Sequence, residues 1–245
     1  MKTLKTQGII LKGFNYSDYD QILTILTKDL GKIKVMARGV RRSKSKIRGG
    51  SQVFSLVQLE LYKGASFYRM IQTNCVKSFI EIRENYDKLL AASEWAEVLD
   101  KVLIEEEKDE EIFKLALSGF TYIAYKETEK TLRVFEAKLL HHMGVLAKET
   151  KCNICENEDI IYYTERGDCL CSNCVKVKTD QFLDKGALKI LCFFIRENLE
   201  DIERLKISPK ILLSIGKFIQ NQINNAIGKE LKIFSYPHES IDIKK

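Results

Sequence analysis

The sequence holds 245 residues, 45% of them hydrophobic, so it can bury a substantial core and has room for two or three compact units. It is not a disordered tail. No run of eighteen apolar residues is present to form a membrane helix, and Met1 to Lys5 lead into no apolar signal core, so we read a cytoplasmic chain. The formal net charge of +6 is unevenly spread: residues 1–80 hold 15 Lys and Arg against 4 Asp and Glu, residues 81–150 hold 10 against 16, and residues 151–245 hold 15 against 14.

Residues 6–80 read as five strands. Ile9 and Leu11 alternate with Ile10 and Lys12, ILTILT at 22–27 makes the second run, and Gly31 turns the chain into the third. In that third run the period of two sets Ile33, Val35 and Ala37 on one face and Lys32, Lys34, Met36 and Arg38 on the other. The first face reads as core and the second as cationic. Further runs at 52–62 and from Ser66 to Val76 complete five, a number that suits a small OB-type barrel.

After Ile82 the hydrophobic period becomes helical and the charge changes sign, placing a boundary near residues 80–85. Helices are expected over about 85–105, 110–126 and 129–143. The acidic run Glu105 to Glu111 is expected to be a solvated helix end, with Asp109 capping the next helix. Beyond the cysteines, one helix is expected from about Asp184 to Arg204. Another should begin at Ser208-Pro209, where Ser caps and Pro suits the first turn, and should stop near Gly228. The tail after Gly228 shows no period. The division is therefore a 1–80 barrel, a helical domain whose first part is 81–150, a cysteine element at 151–178, and a second helical part with tail at 179–245. The fold class is α+β.

The densest positive charge lies in ARGVRRSKSKIRGG, where Arg38, Arg41, Arg42, Lys44, Lys46 and Arg48 stand with no acidic residue among them. Six cations between two strands, punctuated by Gly39, Gly49 and Gly50, describe a mobile basic loop facing a polyanion. Basic surfaces also serve solubility or membrane attraction, but these cations lie on loops and strands rather than along an amphipathic helix. With Lys32 and Lys34 they form an eight-residue phosphate-contacting set, and Phe14, Tyr16, Phe67 or Tyr68 could stack bases.

Seven cysteines, four of them in two tight pairs, fit a metal site in a reducing compartment better than a disulfide framework. Cys152, Cys155, Cys171 and Cys174 form C-x2-C-x15-C-x2-C, the spacing of a zinc site. Four thiolates satisfy one tetrahedral Zn²⁺ and leave no open position, so the zinc is expected to be structural. Cys169 could replace Cys171 only by making the second pair C-x4-C, and four free thiols or a redox pair remain the alternative. No P-loop, nuclease carboxylate cluster or deaminase signature is present, and His141 and His142 lack an acidic partner assignable from sequence, so no catalytic role has a carrier.

At this point the residues resemble the RecO family, bacterial mediators of DNA repair and recombination. The likeness rests on GIILKGFNYSDYDQILTILTKDLGKIKVMARGVRRSKSKIRGG with the FSLVQLELYKG strand, on FEAKLLHHMG at 135–144, and on the paired CxxC. Asp168 and Cys169 after Gly167 depart from the usual second half of that motif. The resemblance implies an OB barrel, a helical body with an embedded zinc element, and a function without catalysis. That function is binding single- and double-stranded DNA, annealing complementary strands, and working with RecR to load RecA on DNA coated by single-strand binding protein. It also implies a groove for the acidic, apolar C-terminal peptide of that coating protein, for which Lys130 and Arg133 beside the Leu132/Phe135/Leu139 stripe are the candidates. A zinc-ribbon protein that binds RNA or assists transcription or the ribosome is the alternative. Annealing of DNA separates the two.

Overall fold

A computed structural model describes residues 3–65, 67–146, 151–158, 160–163, 169–175, 183 and 185–228; the expectations for Asp168, Asp184 and the tail after Gly228 lie outside them. Five strands come first: β1 (Thr3–Asn15), β2 (Gln21–Thr27), β3 (Gly31–Ala37), β4 (Leu56–Lys63) and β5 (Tyr68–Lys77). They close into a barrel in the order β1-β2-β3-β5-β4, the circuit of an OB fold. Alternate side chains, among them Ile10, Leu23, Ile25, Ile33, Val35, Val57, Leu59 and Leu61, fill its interior. At Gly31 φ is +67°, and any Cβ there would sit 2.1 Å from the Glu107 carbonyl oxygen, so this turn needs glycine twice over.

Two irregularities turn the barrel toward its neighbour. The register of β1 on β2 slips between Ile10 and Lys12, which makes Leu11 an extra residue. Leu11 then joins the helical core, while Lys12 reaches Asp100 at 2.8 Å. Strand β4 begins four residues later than its apolar run, because the chain turns at Phe54 with φ +63°. The turn lays the Phe54 ring on Phe120, centroid to centroid 5.7 Å.

The helical body begins with α1 (Ile80–Arg83), α2 (Tyr86–Val102), α3 (Glu110–Tyr125) and α4 (Thr128–His142). Asn85 and Asp109 cap α2 and α3, each accepting from the backbone N–H three residues on. After the cysteine element, with its two short strands β6 (Ile160–Tyr163) and β7 (Cys169–Cys171), come α5 (Lys185–Arg196), α6 (Leu199–Arg204) and α7 (Pro209–Ile227). The single helix expected across this region is broken at Glu197-Asn198, where Asn198 accepts from the Asp201 N–H and starts α6. Helix α7 carries Pro209 in its first turn and ends at Gly228 with φ +63°. Helix α4 packs against α2, α3, α5 and α7 and forms the centre of the body. Trp95, Phe120, Phe135 and Phe194 are buried around it, in one core with Ile9, Leu11 and Leu26 of the barrel's outer face. No helix among the described residues is long and apolar enough to cross a membrane.

Candidate nucleic-acid interface and cysteine centre

The basic segment after β3 is a chain of tight turns rather than a slack loop. Gly39 N–H donates to Asp20 Oδ1 at 2.7 Å, and Arg42, Ser45 and Arg48 N–H groups each donate three residues back. Val40 plugs the barrel, Ser51 Oγ donates to the Ile47 carbonyl at 2.7 Å, and Thr73 Oγ1 donates to that of Gly50 at 3.1 Å. With apolar residues drawn inward, Arg38, Arg41, Arg42, Lys44, Lys46 and Arg48 are all left exposed. Among the described residues none of the six has a carboxylate within ion-pair range. Arg42 rests over the Tyr19 ring at 5.0 Å, and Arg41 Nη1 donates to the Ser17 carbonyl at 3.1 Å. Arg41 and Arg48 wall a polar cavity of about 330 Å³ with Gln21 and Gln52.

The strand-face cations behave differently. Lys32 is 6% exposed, its ammonium donating to the Asp100 carbonyl and standing 3.6 Å from the carboxylate. Burial pushes its pKa below the usual lysine range despite Asp100. Lys32 therefore fastens barrel to helix, and the expectation that it meets phosphate is corrected. Lys34 is exposed but paired with Glu105 at 2.6 Å. Of the aromatic candidates, Tyr68 is buried in the barrel and cannot stack a base, whereas Tyr16 stands exposed. Phe14 and Phe67 both line a largely apolar cleft of about 700 Å³ between the barrel's outer face and α2.

The four cysteines of the spaced pairs converge, with all four sulfurs within 4.8 Å of one another. Four ligands about 2.3 Å from a tetrahedral centre stand about 3.8 Å apart, and the Cys155 and Cys171 sulfurs are 3.6 Å apart. The donor set thus fits one soft tetrahedral metal ion. Cys169 lies outside it. Its backbone instead braces the centre, its N–H donating to Asn153 Oδ1 at 2.6 Å and its carbonyl accepting from Asn153 N–H at 2.9 Å. β6 pairs antiparallel with β7, which ends on Cys171, and Cys174 follows in a turn with its N–H donating to the Cys171 carbonyl.

The two expected peptide-binding cations are not free on a rim. Arg133 is buried, with Nη1 3.0 Å from Glu94 Oε1 and 2.6 Å from Glu136 Oε2, and that expectation is corrected. The Lys130 ammonium donates to the Glu203 and Leu205 carbonyls, both at 3.2 Å, beside a small cleft also lined by Tyr122, Val134, Phe135, Leu199 and Ile202. The buried Glu94–Arg133–Glu136 cluster was missed in the sequence, where its one signal was a polar i,i+3 pair inside an apolar stripe. Burial, then the neighbouring carboxylate, raises the Glu136 pKa to about 8 against the pull of Arg133. Glu94 is raised too, chiefly by burial, so the cluster favours the protonated carboxyl more than a free glutamate does. Helix α7 crosses this cluster at Gly216, where a Cβ would lie 2.9 Å from Arg133 Nε.

A closed OB barrel joined through a shared core to a helical body, with a four-cysteine metal-type centre, defines the class of protein. Family models for the recombination protein O N terminal and C terminal match residues 1–79 and 83–233, and the chain belongs to the RecO family of DNA repair proteins. It is 30% identical over 237 residues to the DNA repair protein RecO of Desulforamulus reducens, covering 95% of this chain and 93% of that one. The protein of the same name from Acetivibrio thermocellus is 27% identical over 235 residues, 94% of each chain, and that of Alkaliphilus metalliredigens 29% over 227, 90% of this chain and 92% of the other.

Proposed function

We propose that the protein is a non-catalytic recombination mediator: it binds single- and double-stranded DNA, anneals complementary strands, and with RecR helps to load RecA on DNA coated by single-strand binding protein. The observation that carries this is the run of six exposed cations, with no acidic partner among the described residues, held on ordered turns of an OB barrel. Such cations meet phosphates without reading bases, which leaves base edges free to pair. Arg38, Arg41, Arg42, Lys44, Lys46 and Arg48 are the contacts, and Lys34 joins them when released from Glu105. The four-cysteine centre holds Zn²⁺ structurally, through Cys152, Cys155, Cys171 and Cys174. The small cleft beside Lys130 is the docking place for the coating protein's C-terminal peptide, with the partly exposed Tyr122 and Leu199 supplying apolar contact. The site of action is the cytoplasm, at the nucleoid.

The test is annealing of complementary oligonucleotides, bare and then coated with single-strand binding protein, by wild type and by a folded variant with Arg41, Arg42, Lys44, Lys46 and Arg48 replaced by Glu. Wild type anneals both at low salt and the variant neither. Wild type that binds DNA but never anneals it contradicts the mediator reading and favours an RNA or transcription accessory role.

A further inference from the structure

The acidic run between α2 and α3 is largely exposed and its Asp109 caps α3 as expected, but its first residues also reach the barrel. Among the described residues β3 is joined to β5 only at Val35–Tyr68 and Met36–Arg69, and none of them forms a strand beside the first half of β3 on that side. The segment after α2 takes that edge. Glu105 lies beside Lys32 in parallel, ladder-like pairing, and Glu106 N–H donates to the Lys32 carbonyl at 2.9 Å. Its carboxylates then meet barrel cations: Glu105 to Lys34 at 2.6 Å, Glu106 to Lys63 at 2.9 Å, and Glu110 at the start of α3 to Lys28 at 3.8 Å. Glu106 adopts φ +59°, and Gly31 lets the Glu107 backbone come close.

These cations belong to the same surface as the basic segment. Lys34 lies on β3, four residues before Arg38, the first cation of the basic segment that begins where the strand ends, so the two are at most about 13 Å apart along the chain. One of the two is free and the other is covered by a carboxylate. The three ion pairs are each about half exposed, the kind worth roughly 0–1 kcal/mol and readily exchanged for another anion. By contrast Lys32, whose backbone pairs with the segment, is buried against Asp100, and this holds the segment in place while its side chains let go.

We propose that Glu105 and Glu106 form a built-in polyanion mimic that covers Lys34 and Lys63, a further row of phosphate contacts, and that single-stranded DNA displaces these two carboxylates as it extends from the basic segment along β3. The segment would thereby weaken binding and make it reversible. The proposal rests on the DNA-binding reading above.

The experiment is binding of fluorescent oligothymidylate by anisotropy across a salt series. The Glu105→Gln/Glu106→Gln protein is expected to bind several-fold tighter at low salt, with a log–log salt slope steeper by about 0.7 for each lysine released. A charge-matched control, Glu156→Gln/Glu200→Gln at two exposed sites, one in the cysteine element and one in α6, is expected to bind within twofold of wild type. Lys34→Gln should change wild type little, its charge being already matched, yet remove about half the gain from the double variant. Equal gains in the control, an unchanged slope, or a Lys34→Gln effect that is the same in both backgrounds would overturn the proposal while leaving DNA binding intact. Wild type that shows no salt-dependent binding sinks both the proposal and the reading beneath it.

Discussion

Arg133 illustrates how a cation's position in a sequence can mislead about its role. It stands one residue after Leu132 in an amphipathic stripe, and a surface helix would show it to solvent; α4 is enclosed on every side, so the guanidinium is buried between Glu94 and Glu136. Removing one partner of a buried ion cluster strands the others. Arg133→Ala is expected to cost about 3–5 kcal/mol in denaturant unfolding, with the loss appearing in stability before any specific binding defect. The cluster also sets a pH dependence. Because the Glu136 carboxyl holds its proton more tightly in the folded chain, its contribution to stability is complete below its ordinary range near 4.5 and is lost as pH rises through about 8. Thermal unfolding of wild type should therefore soften between pH 5 and 8, and Glu136→Gln should flatten that dependence. A midpoint for Glu136→Gln that falls with pH as steeply as wild type would show that the raised Glu136 carboxyl is not the source.

Among the elements, what was legible in the sequence was local and what was not depended on distant partners. The period of two in β3, the Asp109 cap and the Ser208-Pro209 start are decided within a few residues, and the structure agrees with each, although Ser208 makes no side-chain cap bond. The burial of Lys32 follows from Asp100, 68 positions on, and no window on β3 contains that fact. The bulge at Leu11 exchanges faces without leaving a glycine as a marker, and the acidic segment fills an edge that exists only once the barrel has closed. In the candidate site the basic residues and the four cysteines were legible from composition and spacing, whereas the ordering of the basic segment rests on Asp20, Ser51 and Thr73 placed by other strands. Gly31→Ala tests the packing at the acidic segment. The left-handed φ and the approach to Glu107 together should destabilise the protein by about 1–3 kcal/mol, read as a lower urea midpoint with an unchanged slope.

At the scale of the whole molecule, two parts with opposite charge are held by a shared core and by Lys12, Lys28, Lys34 and Lys63 reaching across to acidic partners. The cysteine centre is a third part, small and rich in turns, with a four-thiol donor set that fits one metal ion. Metal analysis should find one ion per chain; Cys171→Ser should lose it and Cys169→Ser should keep it. Loss of metal in Cys169→Ser would return Cys169 to the ligand set. Chelation should loosen the centre and leave the barrel's far-ultraviolet signature in place, since the centre contributes no strand to the barrel.

In the proposed function, phosphates land on the basic segment after β3. The most direct test is the salt dependence of single-stranded DNA binding for Arg41, Arg42, Lys44, Lys46 and Arg48 replaced one at a time by Gln, with stability checked for each. Every replacement at a phosphate contact should weaken binding about equally on any base sequence and reduce the log–log slope by about 0.7. Slopes that stay at the wild-type value in all five proteins would place the DNA elsewhere on the molecule and contradict the account.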